Sequence, residues 1–596
     1  MSDPLLDDLD ASQRATVCSP SRTLAILAPA GSGKTRVLTR RIAYRVREGH
    51  AIAQHVLAVT FTRHAAGELV TRIGSLGVDG PVTASTFHAL ALGQLRRRSA
   101  ERNQAPPQIL DDKARVLEPI LGRRGALTRA AAAAVAGEIE WAKARMITPA
   151  RYSLAARAVQ RRVPRPVEGV AAAFAHYEDE LRRRRMLDFD DVLSACADAI
   201  EREDDFAAAV RWRFRHVFVD EFQDVTPLQL RLLRGVLGDN DDLSVVGDPA
   251  QSIYAFAGAD ASPLLEFERA FPGGTIIALT RTYRSTPAIV RFAESALHET
   301  DTGARASPLP VREEHELPSI TAYADDAAEA AGVAVACRQA HLDGVPWHRI
   351  AVLFRSNAQS ARFESALAQR GVPFRTGDDR RFVQQASVRV LFDRLRAHDS
   401  EHPGRSLGAL LADLAADTDD IVDPPDVRAH RDALLDLGRD YQSIEHGAAT
   451  LAGFAAWIDT VTRTAAGTGP GVDLLTFHRA KGLEWGVVFV TGIEVGLVPI
   501  AGAVTPESRS DERRLLHVAL SRAEDSLHCS WARVRTIGAR RVARQPSPWL
   551  DGPQHEMDTP AWTTRAPAEH LADLRETLAR ATPPERPTER AGRLRR

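Results

Sequence analysis

The string Ala28-Pro-Ala-Gly-Ser-Gly-Lys-Thr35 joins an apolar run, Leu24 to Ala28, to a helical pattern. A strand, a glycine-rich turn and a helix in that order form a phosphate-binding loop. Gly31 and Gly33 let the backbone curl so that successive N–H groups face phosphate oxygens. The helix start adds partial positive charge. Lys34 is suited to reach the β- and γ-phosphates, and Thr35 offers a hydroxyl to Mg2+. Ala28, Pro29, Ala30, Gly31, Ser32, Gly33, Lys34 and Thr35 are therefore the expected nucleotide contacts. Ala28 stands where the usual pattern has glycine, and Pro29 lacks an N–H, but the essential donors begin at Gly31.

Such a loop needs a carboxylate at the end of a neighbouring strand. Val217-Phe-Val-Asp220-Glu221 supplies it, with Asp220 for the metal through water and Glu221 to orient and deprotonate the attacking water. The next strand candidate ends in Gly247-Asp248-Pro-Ala-Gln251, where Gln251 can sense the γ-phosphate and relay its loss. Arg284, in Thr282-Tyr-Arg-Ser285, and Arg522, in Ser521-Arg-Ala523, are the two arginines whose surroundings set them apart.

Short strands must hold these loops. Candidates are Leu24–Ala28, Val56–Thr60, Val217–Val219 and Leu243–Val246, then Ile350–Phe354, Leu474–Phe477 and Val487–Val490. Strand, loop and helix alternate, which implies parallel α/β sheets with ligand loops at the strands' carboxyl ends. The rhythm breaks over 91–184, which is rich in Ala, Arg and Glu and reads as helical without strands. A second, shorter helical break covers 396–467. The stretch 551–596 is rich in Pro, Arg and Glu and reads as a flexible tail with one helix over about 568–581.

The 596 residues are 44% hydrophobic and 26% charged, which excludes wholesale disorder. No apolar run is long enough for a membrane span, and the acidic start lacks a signal pattern, so no membrane partner and a cytoplasmic location are expected. Cys18, Cys196, Cys337 and Cys529 are scattered, with no CxxC pair for zinc or iron–sulfur ligation. The net charge of −1 alone argues against a general nucleic-acid coat protein.

The strings APAGSGKTRVL, AVTFTRHAA, TFHAL, LDFDDVL, VDEFQD, GDPAQSIY, TYRST, LFRSNAQS, TFHRAKGLEW and DERRLLHVALSRA occur in that order over about residues 10–550. Together they resemble the UvrD/Rep/PcrA group of superfamily 1A DNA helicases. Those around Lys34, Asp220, Gln251, Lys481 and Arg522 are the most specific. The resemblance implies two RecA-like parallel-sheet domains, each with a helical insertion, binding ATP between them. The corresponding segments are 1–90 and 185–279 for the first motor, 280–395 and 468–550 for the second, with insertions at 91–184 and 396–467. It implies that Gln13 reads the adenine edge, Tyr283 stacks on it, Arg36 flanks it and Glu484 meets the ribose. Arg284 and Arg522 become arginine fingers from the second domain. A DNA track is implied at Phe61, Thr62 and Arg63, at Thr86, Phe87 and His88, and at Phe189, Tyr254, Phe256, Thr476 and His478, with plain core packing the alternative for each aromatic taken singly.

The activity so implied is ATP-driven 3′→5′ translocation on single-stranded DNA and unwinding of tailed duplexes, in repair or replication. Two alternatives stay open, a motor that strips proteins from DNA and a nucleotide-gated DNA-binding module. Two departures matter. Relatives usually carry Trp-Arg-Gly where this chain has Phe256-Ala257-Gly258, which implies weaker coupling of DNA binding to hydrolysis. They also carry a much larger second insertion, whose reduction here bears on unwinding more than on translocation. A track built on stacking implies modest salt sensitivity despite the near-zero net charge.

Overall fold

Val56–Thr60, Leu243–Gly247 and all but the first residue of Thr23–Leu27 are buried, as parallel strands covered by helices on both faces require. In the computed structural model these strands form one six-stranded parallel sheet. Its spatial order is Thr83–Thr86, Val56–Thr60, His216–Val219, Leu243–Gly247, Thr23–Leu27 and Thr275–Ala278. The structure describes residues 3–550 and 556–558, except 4, 111, 123–125, 299, 301–304, 306, 377–385, 402–404, 417–426, 538–539 and most positions between 428 and 470. One face of the sheet packs on Leu90, Leu193 and Leu232, the other on Val37, Leu38 and Leu69.

The second sheet runs Phe374–Thr376, Val472–Thr476, Ile350–Phe354, Trp485–Val490, Ala523–Ile537, Ser319–Asp325 and Glu556–Asp558, all parallel. Arg540–Ala543 folds back antiparallel on Ala523–Ile537. The strand Glu556–Asp558 comes from the stretch expected to be a tail. The helix expected over 568–581 lies outside the described residues.

The expected first break, 91–184, divides differently in space. Helix Phe87–Glu101 packs Leu90, Ala91 and Leu95 into the first sheet's core. A separate helical core then runs from Leu110 to Leu181. The all-helical reading overlooked a short strand, Gln108–Ile109, which pairs with Met186–Leu187 where the insertion returns to the motor. Helices Ala386–Glu401 and Leu407–Ala416 share a further cluster with Phe454 and Ile458, and the first of them lies against helix Ala126–Ala144. Val427, Leu434, Leu437 and Tyr441 join that cluster, and most other positions after residue 416 in 396–467 lie outside the described residues. Among the described residues no helix is long and apolar enough to cross a membrane.

Candidate nucleotide site and nucleic-acid track

Parallel register gathers the first motor's candidate residues on one edge. Leu27 pairs with Gly247, Val59 with Val219 and Thr60 with Thr86. The phosphate loop, Asp220, Asp248, Phe61 and Thr86 thus all leave the sheet at carboxyl ends, where open α/β sheets bind ligands. Gly31 and Gly33 have φ of 72° and 85°, and Gly33 caps helix Lys34–Arg47 from the left-handed region. Lys34 Nζ and Ser32 Oγ are buried without a hydrogen-bond partner, aimed into this cradle. Two buried polar atoms without partners are costly unless an anion completes them.

Lys34 Nζ lies 3.9 Å from Glu221 Oε2, and Gln223 Nε2 donates to the same oxygen at 2.5 Å. Glu221 holds φ 53°, unusual for a side chain of its size. Burial opposes its ionisation, but the Lys34 and Lys481 charges outweigh it and hold the carboxyl below its usual range. Asp220 goes the other way. Burial first, and the Glu221 charge second, push it up to about 7. Two adjacent carboxylates driven apart in this way are suited to different tasks. Gln251 is buried, and its Nε2 donates to Asp248 Oδ2 at 2.6 Å.

The second motor meets the loop directly. Tyr283 N–H donates to Gly31 O at 2.9 Å and Thr282 Oγ1 to Ala30 O at 2.8 Å. A side chain at Gly31 would place its Cβ 2.6 Å from the Arg284 Cβ, so glycine is required by close approach as well as by φ. Arg284 Nε donates to Glu484 Oε2 at 2.7 Å. Arg522 is buried, and its donors meet the carbonyls of Val518 and Leu483 and the Ser521 hydroxyl. Burial first, and Arg284 second, pull its guanidinium down to about 9. An anion arriving beside Arg522 would relieve it.

Of the expected base contacts, Tyr283 is exposed and its hydroxyl bonds Asp10. Gln13 is turned inward, with Nε2 on Ser32 O at 2.9 Å and Oε1 on the Asp10 N–H at 3.2 Å. The Asp10–Gln13 capping box opens helix Ala11–Cys18, and the Gln13 amide ties that helix to the phosphate loop. Arg36 and Thr35 are half-buried on the first turn of the loop's helix.

Lys481 is the residue whose role sequence reasoning missed. It comes from the second motor, is 7% exposed, pairs with Asp224, donates to Gln251 O at 2.6 Å and lies 4.0 Å from Glu221 Oε2. Burial pushes Asp224 up to about 6, against the pull of Lys481. The only sequence signal was its place in the TFHRAKGLEW string.

The track residues fall into two aromatic groups. Tyr254 and Phe256 stand 6.1 Å apart, and the edge of His478 from the second motor meets Phe256 at 5.3 Å. Phe256 is 56% exposed, which favours a contact surface over core. Phe189 is also exposed, 6.1 Å from His88. It is the first residue of helix Phe189–Arg202, set there by an Asp188–Asp191 capping box that buried Lys143 holds from behind. Thr62 and Thr86 cap their helices, accepting from Ala65 and Ala89 N–H groups, and Phe61, directly before Thr62, is exposed. Phe87 is core. Thr476 ends its strand, two residues before His478. The Arg63 side chain lies outside the described residues.

Two parallel-sheet domains with a phosphate loop on one and arginines from the other define a P-loop motor. The UvrD/REP helicase N-terminal domain family matches residues 9–272, and the UvrD-like helicase C-terminal domain family matches 277–419 and 434–534. The chain belongs to the UvrD/REP helicase family. It is 38% identical over 602 residues to the ATP-dependent DNA helicase UvrD2 of Mycobacterium tuberculosis, covering 95% of this chain and 84% of that one. To the ATP-dependent DNA helicase PcrA of Bacillus subtilis it is 27% identical, covering 95% and 89%. To UvrD1 of M. tuberculosis it is 29% identical, covering 95% and 87%.

Proposed function

We propose that the chain is an ATP-dependent DNA helicase that moves 3′→5′ on single-stranded DNA and unwinds tailed duplexes in DNA repair or replication. The observation that carries this reading is the convergence of Lys34, Glu221 and Gln251 from one motor with Lys481, Arg284 and Arg522 from the other, around buried donors that lack partners. Asp220 and Thr35 fit a Mg2+ ion. Asp220 is buried beside Glu221 with its carboxyl pushed up, and a divalent charge would relieve that. Bound there, Mg2+ would withdraw charge from the phosphates.

In this reading the loop amides, Ser32 and Lys34 hold the phosphates. Glu221 takes the proton of the attacking water. Gln251 senses the γ-phosphate, and Arg284 and Arg522 neutralise the charge that builds in the transition state. Gln13, Arg36, Tyr283 and Glu484 hold the base and ribose. Hydrolysis removes the charge that draws the arginines inward, so the cleft opens. The strand lies across Phe61, Thr62, Arg63, Thr86, His88, Phe189, Tyr254 and Phe256, with Thr476 and His478 gripping its backbone from the second motor. Opening and closing then ratchets that strand.

The test is strand separation on 3′-tailed and 5′-tailed duplexes with ATP. Unwinding that requires a 3′ tail is expected. A 5′ preference would overturn the polarity, and ATP hydrolysis with translocation but no strand separation would favour a protein-stripping motor.

A further inference from the structure

A buried ion cluster crosses the cleft behind the phosphate loop. Asp248 ends the strand Leu243–Gly247 and is fully buried. Its Oδ2 accepts from Gln251 Nε2 at 2.6 Å, and its Oδ1 accepts from Ala250 N–H at 3.1 Å. The same Oδ1 lies 2.8 Å from Arg305 Nε. Arg305 comes from the second motor, and its side chain is 3% exposed. Its two terminal nitrogens donate to Glu294 at 2.9 and 2.8 Å. Glu294 lies on helix Pro287–Ser295, which comes after Tyr283 and Arg284. On the other side, the buried His517 ring bonds Ala293 O at 3.0 Å, five residues before Arg522. Arg305 thus faces Asp248 and Glu294, with His517 as a third neighbour, and its positive charge sits between the two carboxylates.

We propose that Arg305 is a positioning residue for hydrolysis. From the second motor it fixes the Asp248 carboxylate, and through it the Gln251 amide, so that Gln251 is aligned only when the cleft is closed. The geometry makes this specific. Asp248 has one carboxylate oxygen for Gln251; the other accepts the turn N–H and faces the guanidinium as an ion pair, with Nε outside hydrogen-bond geometry. If Arg305 withdraws, a buried carboxylate loses its counter-charge, and the contact that orients Gln251 loses its anchor. Sensing of the γ-phosphate and closure of the cleft then become one event. In this proposal Arg305 acts through Asp248.

This inference rests on the proposed ATPase function. The experiment compares ATP hydrolysis with and without oligo(dT) for the full chain, Arg305→Gln, Arg305→Lys and the double variant Asp248→Asn/Arg305→Gln. DNA stimulation absent in the unsubstituted chain would defeat the function, whatever the variants do. With stimulation present, Arg305→Gln is expected to lower the DNA-stimulated kcat at least tenfold, with KM for ATP changed less than threefold. Arg305→Lys restores part of the rate, and the double variant is no worse than Arg305→Gln, because both act through one contact. A DNA-stimulated kcat within twofold of the unsubstituted chain, a loss confined to KM, or a double variant at least tenfold slower than Arg305→Gln would each overturn the proposal. If Arg305→Gln fails to fold, the double variant carries the test, since it removes both charges of the pair. Full stimulation there would overturn the proposal as well.

Discussion

Replacing Lys481 by Met removes the ammonium that the second motor inserts beside Glu221 and Asp224. The ammonium pairs with Asp224 and bonds Gln251 O, and all three groups are largely buried. Even with it present, burial holds Asp224 up at about 6. Removing one partner of a buried pair costs about 3–5 kcal/mol, because the other charge stays desolvated. Asp224 belongs to the first motor and Lys481 to the second, so the chain can avoid that cost by opening the cleft and wetting Asp224. The penalty therefore falls on closure and not on the fold. At about 3 kcal/mol it lowers the closed population roughly 100-fold, at 1.4 kcal/mol per tenfold. DNA-stimulated kcat/KM for ATP should drop by a similar factor, while the melting temperature of the chain without nucleotide changes little. Adding Asp224→Asn should recover much of the ATP affinity by removing the stranded carboxylate. A Lys481→Met variant with kcat/KM within threefold of the unsubstituted chain would refute the reasoning. So would a double variant that binds ATP no better than Lys481→Met.

Three other outcomes rest on particular contacts. Phe256→Ala should weaken oligo(dT) binding about 5- to 150-fold, the worth of one stacked base at 1–3 kcal/mol, and leave KM for ATP without DNA unchanged; a Kd shift under twofold would return Phe256 to a plain surface role. Gly258 has φ 100°, and a Cβ there would sit 2.7 Å from the Ala144 Cβ of the first insertion. Gly258→Ala should cost about 1–3 kcal/mol and lower the melting temperature, whereas an unchanged melting curve would mean that the turn and the insertion helix are not locked together. Burial, with Arg355 second, holds His478 down at about 3. Unfolded His478 takes a proton below about 6.5 and the folded residue does not, so its contribution is intact above that pH and declines on acidification, by about 1.4 kcal/mol at pH 5.5. Denaturation at pH 7.5 and 5.5 should show a shallower acid loss for His478→Asn than for the unsubstituted chain. Equal slopes would contradict that assignment.

The strands that carry ligand loops were legible because parallel strands buried on both faces read as unbroken apolar runs. Val56–Thr60 and Ile350–Phe354 fall where the sequence puts them. Thr83–Thr86, an edge strand of small polar residues, has no such run. Ala523–Ile537 mixes buried and half-buried positions and carries charged residues, and Ser319–Asp325 is equally mixed, so neither shows a continuous apolar signal. Helix Phe87–Glu101 looked like the start of the insertion because its composition matches that of the helical stretch up to residue 184, yet Leu90 and Leu95 bind it to the sheet. The phosphate loop and the acidic pair could be read from local spacing, whereas Arg284 and Arg522 stood out only through the family resemblance. The pairings of Lys481 and Arg305 were not legible, because each meets a carboxylate far away in sequence that only the tertiary fold brings near.

The central claim is that one cleft hydrolyses ATP and that a DNA strand held across both motors drives it. Phosphate release measured for the unsubstituted chain and for Lys34→Ala, each with and without oligo(dT), tests this most directly. Strong stimulation by DNA in the former, and release near background in the latter under both conditions, is the expected result. Hydrolysis that is indifferent to DNA, or that survives Lys34→Ala, would contradict the account.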